Sequence, residues 1–324
     1  MDTVFGFIAA RTLATGVELD VFTHIAQGAR TPAGLAEKTG DSERGLRMLT
    51  DALAGMGFLQ KTPEGLFLAP DAEKFLVRTS PAYLGAVVRH IEPLWDTWQH
   101  LTQAVRTGSG QAIGKKTSEE EFFASFVDGL FALGFPAAQA AARALGGQVR
   151  EVLDLGAGSG VWSLAFAAAH PEVRVTLVDY PGVLPVTRTF ARRLQVAERC
   201  TFLAGDFHQV DLEEGAYDLV TLGQILHGES YEESLRLLRR AQAALRPAGA
   251  LLIAEMIPDE GRCRDTFALL FGMNMLMLTE KGDVYTASQL EDMVRQAGFG
   301  EVGWLEVPAP YPLLVARRGS GNAC

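Results

Sequence analysis

Apolar residues recur along this chain in two rhythms, and the place where one gives way to the other marks its organisation. Over residues 4–27 the apolar positions (Phe7, Ile8, Leu13, Val17, Val21, Phe22, Ile25) follow helical spacing, which predicts an amphipathic pair of helices. Thr31-Pro32 opens a short helix that stops at Gly40, and Asp41-Ser42 caps another whose apolar face is Leu46, Leu49, Leu53 and Met56. Gly57-Phe58-Leu59 and Leu66-Phe67-Leu68 flank Pro63-Glu64-Gly65 as a β-hairpin. Helix, turn, helix and hairpin make a winged-helix module over residues 1–80. Residues 81–146 predict a helical linker rich in aromatics and histidines, including His90, Trp95, Phe131 and Phe135. Such a stripe serves either as core or as the wall of a pocket for a flat, small ligand.

From residue 147 the rhythm changes. Short apolar runs at 151–155, 173–178, 200–203, 217–222, 249–256, 301–306 and 311–316 predict strands, and helical spacing recurs near 160–169, 182–194, 231–246 and 286–297. That alternation predicts a doubly wound α/β domain with mostly parallel strands over 147–318. The residues from Arg317 read as a disordered tail, with 319–324 outside the domain. The longest apolar run, Phe267 to Leu278, is the length of a core helix and too short to span a bilayer.

Composition narrows the function. A formal net charge of −10 argues against a general binder of nucleic acid or of acidic membranes. In the second helix of the winged module Arg44 and Arg47 are offset by Glu43 and Asp51, which favours packing against a partner subunit over a major groove. Three scattered cysteines suit a reduced cytosol and have no metal-ligand spacing, so a cytoplasmic protein without a metal is expected. The first residues lack the basic region of a signal peptide.

The chemistry concentrates in Asp154-Leu-Gly-Ala-Gly-Ser-Gly160, where a strand runs through three alternate glycines into a helix. A nicotinamide fingerprint needs glycine at the first, third and sixth positions of the turn, and the sixth position from Gly156 is Val161. A phosphate-binding loop needs a lysine that is absent. Asp154 instead suits a cationic amino group. Asp179, at the end of the next strand, can take a ribose diol, and Asp206, in Gly205-Asp206-Phe207, can accept from an adenine amino group. Strand-end carboxylates without a phosphate cradle describe S-adenosylmethionine.

These motifs, with Val178-Asp179-Tyr-Pro-Gly-Val183, Ile225-Leu226-His227, Arg246-Pro-Ala-Gly249, Ala254-Glu255 and Gln296-Ala-Gly-Phe299, resemble the S-adenosylmethionine-dependent O-methyltransferases of the caffeic-acid and hydroxyindole type, with their bacterial secondary-metabolism relatives. The resemblance covers nearly the whole chain. It implies a Rossmann-like class I methyltransferase domain behind a mainly helical winged-helix dimerisation domain, and hence a homodimer. The N-terminal segment is short against that pattern, as though one leading helix were absent. The cofactor would be held by Asp154, Gly156, Gly158, Gly160, Asp179, Asp206 and Phe207. His227 would be the general base, and Glu255, ending the adjacent strand, would hold its tautomer. His90, Trp95 and Met275 would line the substrate pocket.

Two departures stand out. The family's plant enzymes place an acid directly after the histidine, where this chain has Gly228, and a second acid at a position that falls on Val284, with Asp283 next door. The expected reaction is methylation of a hydroxyl on a small aromatic or polyketide-like metabolite. The rivals are C- or N-methylation, a non-methylating reaction on the same scaffold, and a winged-helix regulator or cofactor sensor.

Overall fold

The computed structural model describes residues 2–90, 92–110 and 119–319; the side chains of 2, 89, 90, 92, 93, 119–126 and 128 lie outside that description. Lys115 and Lys116, a pair whose charge in sequence suggests a solvated loop, and the tail beyond residue 319 also lie outside it. The chain divides into two compact units, Met1–Trp95 and Asp96–Cys324.

The first unit contains α1 (Asp2–Glu18), α2 (Val21–Ala26), α3 (Pro32–Thr39), α4 (Glu43–Gly55), the hairpin β1 (Leu59–Thr62) and β2 (Gly65–Leu68), α5 (Pro70–Leu76), α6 (Gly85–His90) and the start of α7 (Glu92–Trp98). Side-chain caps explain the helix starts: Thr31 accepts from Gly34 N, and Ser42 accepts from Gly45 N. Phe22, Ile25, Leu35, Leu46, Leu53 and Leu66 close its core. The expected helix-turn-helix-hairpin is present. Arg47 is paired with Asp51 at 3.0 Å, and Lys61 bonds the same carboxylate. By contrast, Val4, Phe5, Phe7 and Ile8 on α1 are 48–70% exposed.

The second unit opens with α8 (Leu101–Thr107) and α9 (Glu119–Leu145), then winds β3 (Glu151–Leu155), α10 (Val161–Ala169), β4 (Arg174–Asp179), α11 (Leu184–Arg193), β5 (Cys200–Ala204) and β6 (Tyr217–Gly223). It continues through α12 (Tyr231–Ala244), β7 (Leu245–Ala254), α13 (Thr266–Leu278), α14 (Ala287–Gln296), β8 (Phe299–Trp304) and β9 (Leu313–Arg318). The sheet order is β5-β4-β3-β6-β7-β9-β8. The first five strands pair in parallel, and β9 joins β7 and β8 antiparallel. Strands covered on both faces are apolar throughout. Leu164, Phe166 and Phe190 pack one face, while Leu237, Leu238, Leu290 and Met293 pack the other. Phe131 and Phe135 belong to the core: the Phe131 ring stacks on Phe190 at 4.0 Å and on Phe135 at 4.7 Å.

Three details differ from expectation. β7 starts at Leu245, inside the span expected to be helix, because Ala248 takes φ +64° and the ladder to β6 shifts register, so Leu245 still pairs Tyr217. Arg317 and Arg318 are not a disordered tail. They pair Ala250 and Phe299, and the Arg318 guanidinium donates to Ala243 O and Leu245 O. The run from Phe267 to Leu278 is helical but not wholly core, since Phe267 is 66% and Leu270 57% exposed.

One helix end carries a measurable strain. At the end of α11, Gln195 N donates to Arg192 O and Val196 N to Ala191 O, the double bond of a left-handed helix stop, with Gln195 itself at φ +60°. Gln195→Gly removes the Cβ penalty of that conformation and is expected to stabilise the protein by roughly 1 kcal/mol. Guanidinium unfolding of the two proteins checks it.

Candidate active site

Parallel strands joined by crossovers all end at one edge. The order reverses between β3 and β6, the place where open α/β sheets bind ligands. The expected cofactor and catalytic residues gather there in the spatial order of the strands. Asp206 and Phe207 follow β5, Asp179 ends β4, and Asp154 with the glycines belongs to β3 and its turn. His227 follows β6, and Glu255 follows β7, one residue beyond the strand.

The turn after β3 is built from backbone. Gly156 N and Ala157 N both donate to Val178 O at 3.0 Å, and Gly156, Gly158 and Gly160 take φ of +67°, +55° and +75°. A Cβ on Gly156 would stand 2.4 Å from the end of the Ile225 side chain, which would have to shift, and the positive φ strains any side chain there. Thr187 Oγ1 on α11 donates to Gly158 O at 2.5 Å. Asp179, which is buried, accepts Gly158 N and Tyr180 N, each at 2.7 Å. Thus the second acid also fixes the turn of the first.

Asp154 lies beneath this turn, only 2% exposed. Ser163 Oγ donates to its Oδ2 at 2.5 Å and Thr221 Oγ1 to its Oδ1 at 2.6 Å. The carboxyl expected to face a cationic group therefore has both oxygens engaged inside the protein. Burial pushes its pKa up to about 7 against the pull of those two hydroxyls. Asp206 accepts His208 N and Gln209 Nε2, each at 2.8 Å, and caps its own loop. His208 Nε2 reaches Glu229 at 3.0 Å, and that bond holds the imidazole above its usual pKa.

His227 stands on a single 3₁₀ turn, Leu226–Gly228. Its Nδ1 lies 2.6 Å from Glu255 Oε2. Glu255, 4% exposed, also accepts Leu226 N at 2.7 Å, His227 N at 3.4 Å and Met256 N at 3.3 Å. An Nδ1 that bonds a carboxylate carries the proton, which leaves the lone pair on Nε2. Phe271 of α13 meets the imidazole edge to face at 4.8 Å.

Of the expected substrate residues, Met275 is buried on α13, one turn beyond Phe271. His90 and Trp95 belong to the first unit, in α6 and α7; the His90 side chain lies outside the described residues. The Trp95 indole N–H is buried without a hydrogen-bond partner among the described residues. Val284 is buried at the position where the plant enzymes place their second acid, while Asp283 accepts Val284 N and pairs with Arg262 at 3.7 Å. Ser163, Thr187 and Thr221 were missed by sequence reading; only the strand register, which sets Thr221 opposite Asp154, reveals the last.

No group of three or more His, Cys, Asp or Glu among the described residues could hold a metal. No lysine or arginine stands in the glycine turn from Gly156 to Gly160, and acids stand at the neighbouring strand ends. Those features fit an adenosine carrying a cationic sulfonium and an amino acid.

Comparison with known proteins decides the family. The O-methyltransferase domain model matches residues 98–300, and the O-methyltransferase dimerisation domain model matches residues 1–78. The chain belongs to the O-methyltransferase family. It is 31% identical to the tetracenomycin polyketide synthesis 8-O-methyl transferase TcmO of Streptomyces glaucescens, over 98% of this chain and 96% of that protein. It is 32% identical to mouse acetylserotonin O-methyltransferase, over 99% of this chain and 88% of that protein. The solved structure of PigF with SAH superposes with a TM-score of 0.89 at 27% identity, covering 98% of each chain; PigF is an S-adenosyl-L-methionine-dependent methyl transferase of a Serratia species. As a member of this O-methyltransferase family the chain is an S-adenosylmethionine-dependent enzyme with a dimerisation domain. No helix among the described residues is long and apolar enough to cross a membrane.

Asp154 gives this O-methyltransferase a pH signature. A carboxyl whose folded pKa is raised keeps its proton in the native state after the unfolded chain has lost it near pH 4. Stability therefore falls as pH rises from about 4 through about 7, on the order of a few kcal/mol in total. In the cofactor-free enzyme Asp154→Asn should flatten that part of the curve. Unfolding of both proteins at pH 5 and pH 8 measures the difference.

Proposed function

We propose that this O-methyltransferase methylates a hydroxyl of a small aromatic or polyketide-like metabolite, with His227 as general base. The observation that carries the base assignment is the 2.6 Å contact between His227 Nδ1 and the buried Glu255, which directs Nε2 as acceptor. A phenol is mostly protonated at neutral pH, and a positioned base raises the rate of its transfer by about 10² to 10⁴. The bound cofactor supplies an electrophilic methyl group on sulfur. The protein's own part is alignment: Asp179, Asp206 and Phe207 would hold the adenosine, and Gly156, Gly158 and Gly160 would let it approach the backbone. Asp154 would hold the turn from below, reaching the cofactor's amino group through that turn rather than as an open carboxylate. Met275 would line the acceptor site. The substrate class rests on relatives whose names give polyketide and acetylserotonin substrates.

His227→Gln is expected to lower turnover of any acceptor by two orders of magnitude or more, while calorimetry shows cofactor affinity retained. Turnover at the original rate removes His227 from the mechanism.

The enzyme is further read as a cytoplasmic homodimer. The support is the dimerisation domain together with Val4, Phe5, Phe7 and Ile8, an apolar stripe left exposed on α1 of that domain. Light scattering should give twice the 35.0 kDa chain mass, and Phe7→Asp should shift the protein towards monomer. A monomeric original protein refutes the reading.

A further inference from the structure

The turn that carries His227 is held from two sides, and Glu255 accounts for one of them. Ser234 Oγ donates to Leu226 O at 3.3 Å, and the Tyr285 hydroxyl donates to Glu229 O at 2.8 Å. Tyr285 is only 8% exposed, and burial pushes its phenol up to about 12, so it stays a donor throughout the working pH range. Between these contacts the backbone of Gly282 lies against the base's own carbonyl: a Cβ there would stand 2.3 Å from His227 O. Gly282 N is fixed by Thr279 Oγ1 at 2.8 Å, and that hydroxyl donates to Met275 O at 2.7 Å. The segment 279–285 thus joins the end of α13 to the far side of the base turn.

We propose that Tyr285, seated by the close packing of Gly282, is a positioning residue for His227. It pins the turn opposite Glu255 and supplies the restraint that an acid after the histidine and an acid at residue 284 would otherwise give. Gly228 leaves the chain after the base free of side-chain restraint, and Val284 cannot hydrogen-bond the imidazole. Tyr285 compensates by gripping a backbone carbonyl two residues beyond His227, without touching the reacting atoms. This inference rests on His227 as the base, but its test reads the imidazole directly and holds whether or not His227 transfers a proton.

The experiment is long-range ¹H–¹⁵N correlation of histidine-labelled full-length protein across pH, with the His227 signals among the six histidines assigned by His227→Gln. The original enzyme should show His227 in the Nδ1–H tautomer. In Tyr285→Phe the ratio of Nδ1–H to Nε2–H should fall about fivefold, as much as one hydrogen bond of typical net strength can shift it. Thermal melting and calorimetry with S-adenosylhomocysteine establish that the variant is folded with an intact cofactor site. Tyr231→Phe, which removes a hydroxyl bonded to Gln296, should leave the His227 spectrum unchanged. A folded Tyr285→Phe with the original tautomer ratio overturns the proposal. If that variant does not fold, Gly282→Ala, which drives a methyl group at His227 O, takes its place under the same criterion.

Discussion

Because parallel strands joined by crossovers must end at one edge, five loops of the second unit meet where the order turns between β3 and β6. Every residue assigned to the cofactor and to proton transfer in this unit sits on those loops or at their roots. The strands supply rigidity, with both faces buried, and the loops supply chemistry. Shifting β3 against β4 or β6 would separate Asp154 from Thr221 and Gly158 from the Asp179 carboxylate.

Three acids at this edge are buried, and each is compensated differently. Glu255 accepts from three backbone amides and an imidazole, which makes it a fixed anchor for the His227 ring. Asp179 accepts two backbone amides and so ties the glycine turn to the strand beside it. Asp154 accepts the Ser163 and Thr221 hydroxyls and the Ser163 backbone amide, too little to offset full burial, which pushes its pKa up to about 7.

The departures from the plant-type pattern acquire a physical sense in this arrangement. A base needs a fixed ring and a free nitrogen, and several sets of restraints can give both. Here one restraint comes from below through Glu255 and the other from the side through Tyr285, Gly282 and the Phe271 ring. The second set links the base turn to α13, the helix that carries Met275.

The hydrophobic rhythm was enough to place the strands of the α/β domain and the winged hairpin to within a few residues, because period and chain breaks are local properties. The glycine turn, the strand-end acids and His227 were legible for the same reason, each being marked by its place at a strand end. Local pattern failed at Ala248, whose left-handed backbone starts β7 early, and at Arg317 and Arg318, whose pairing depends on strands distant in sequence. Nor could it show that Asp154 turns inward, that Thr221 stands opposite it, or that Tyr285 reaches Glu229 across fifty-six residues. The sequence by itself determined the elements, the cofactor chemistry and the identity of the candidate base. Only the tertiary structure decided which oxygens are spent inside the protein and which groups fix the base, because hydrogen bonds between distant segments depend on register and packing.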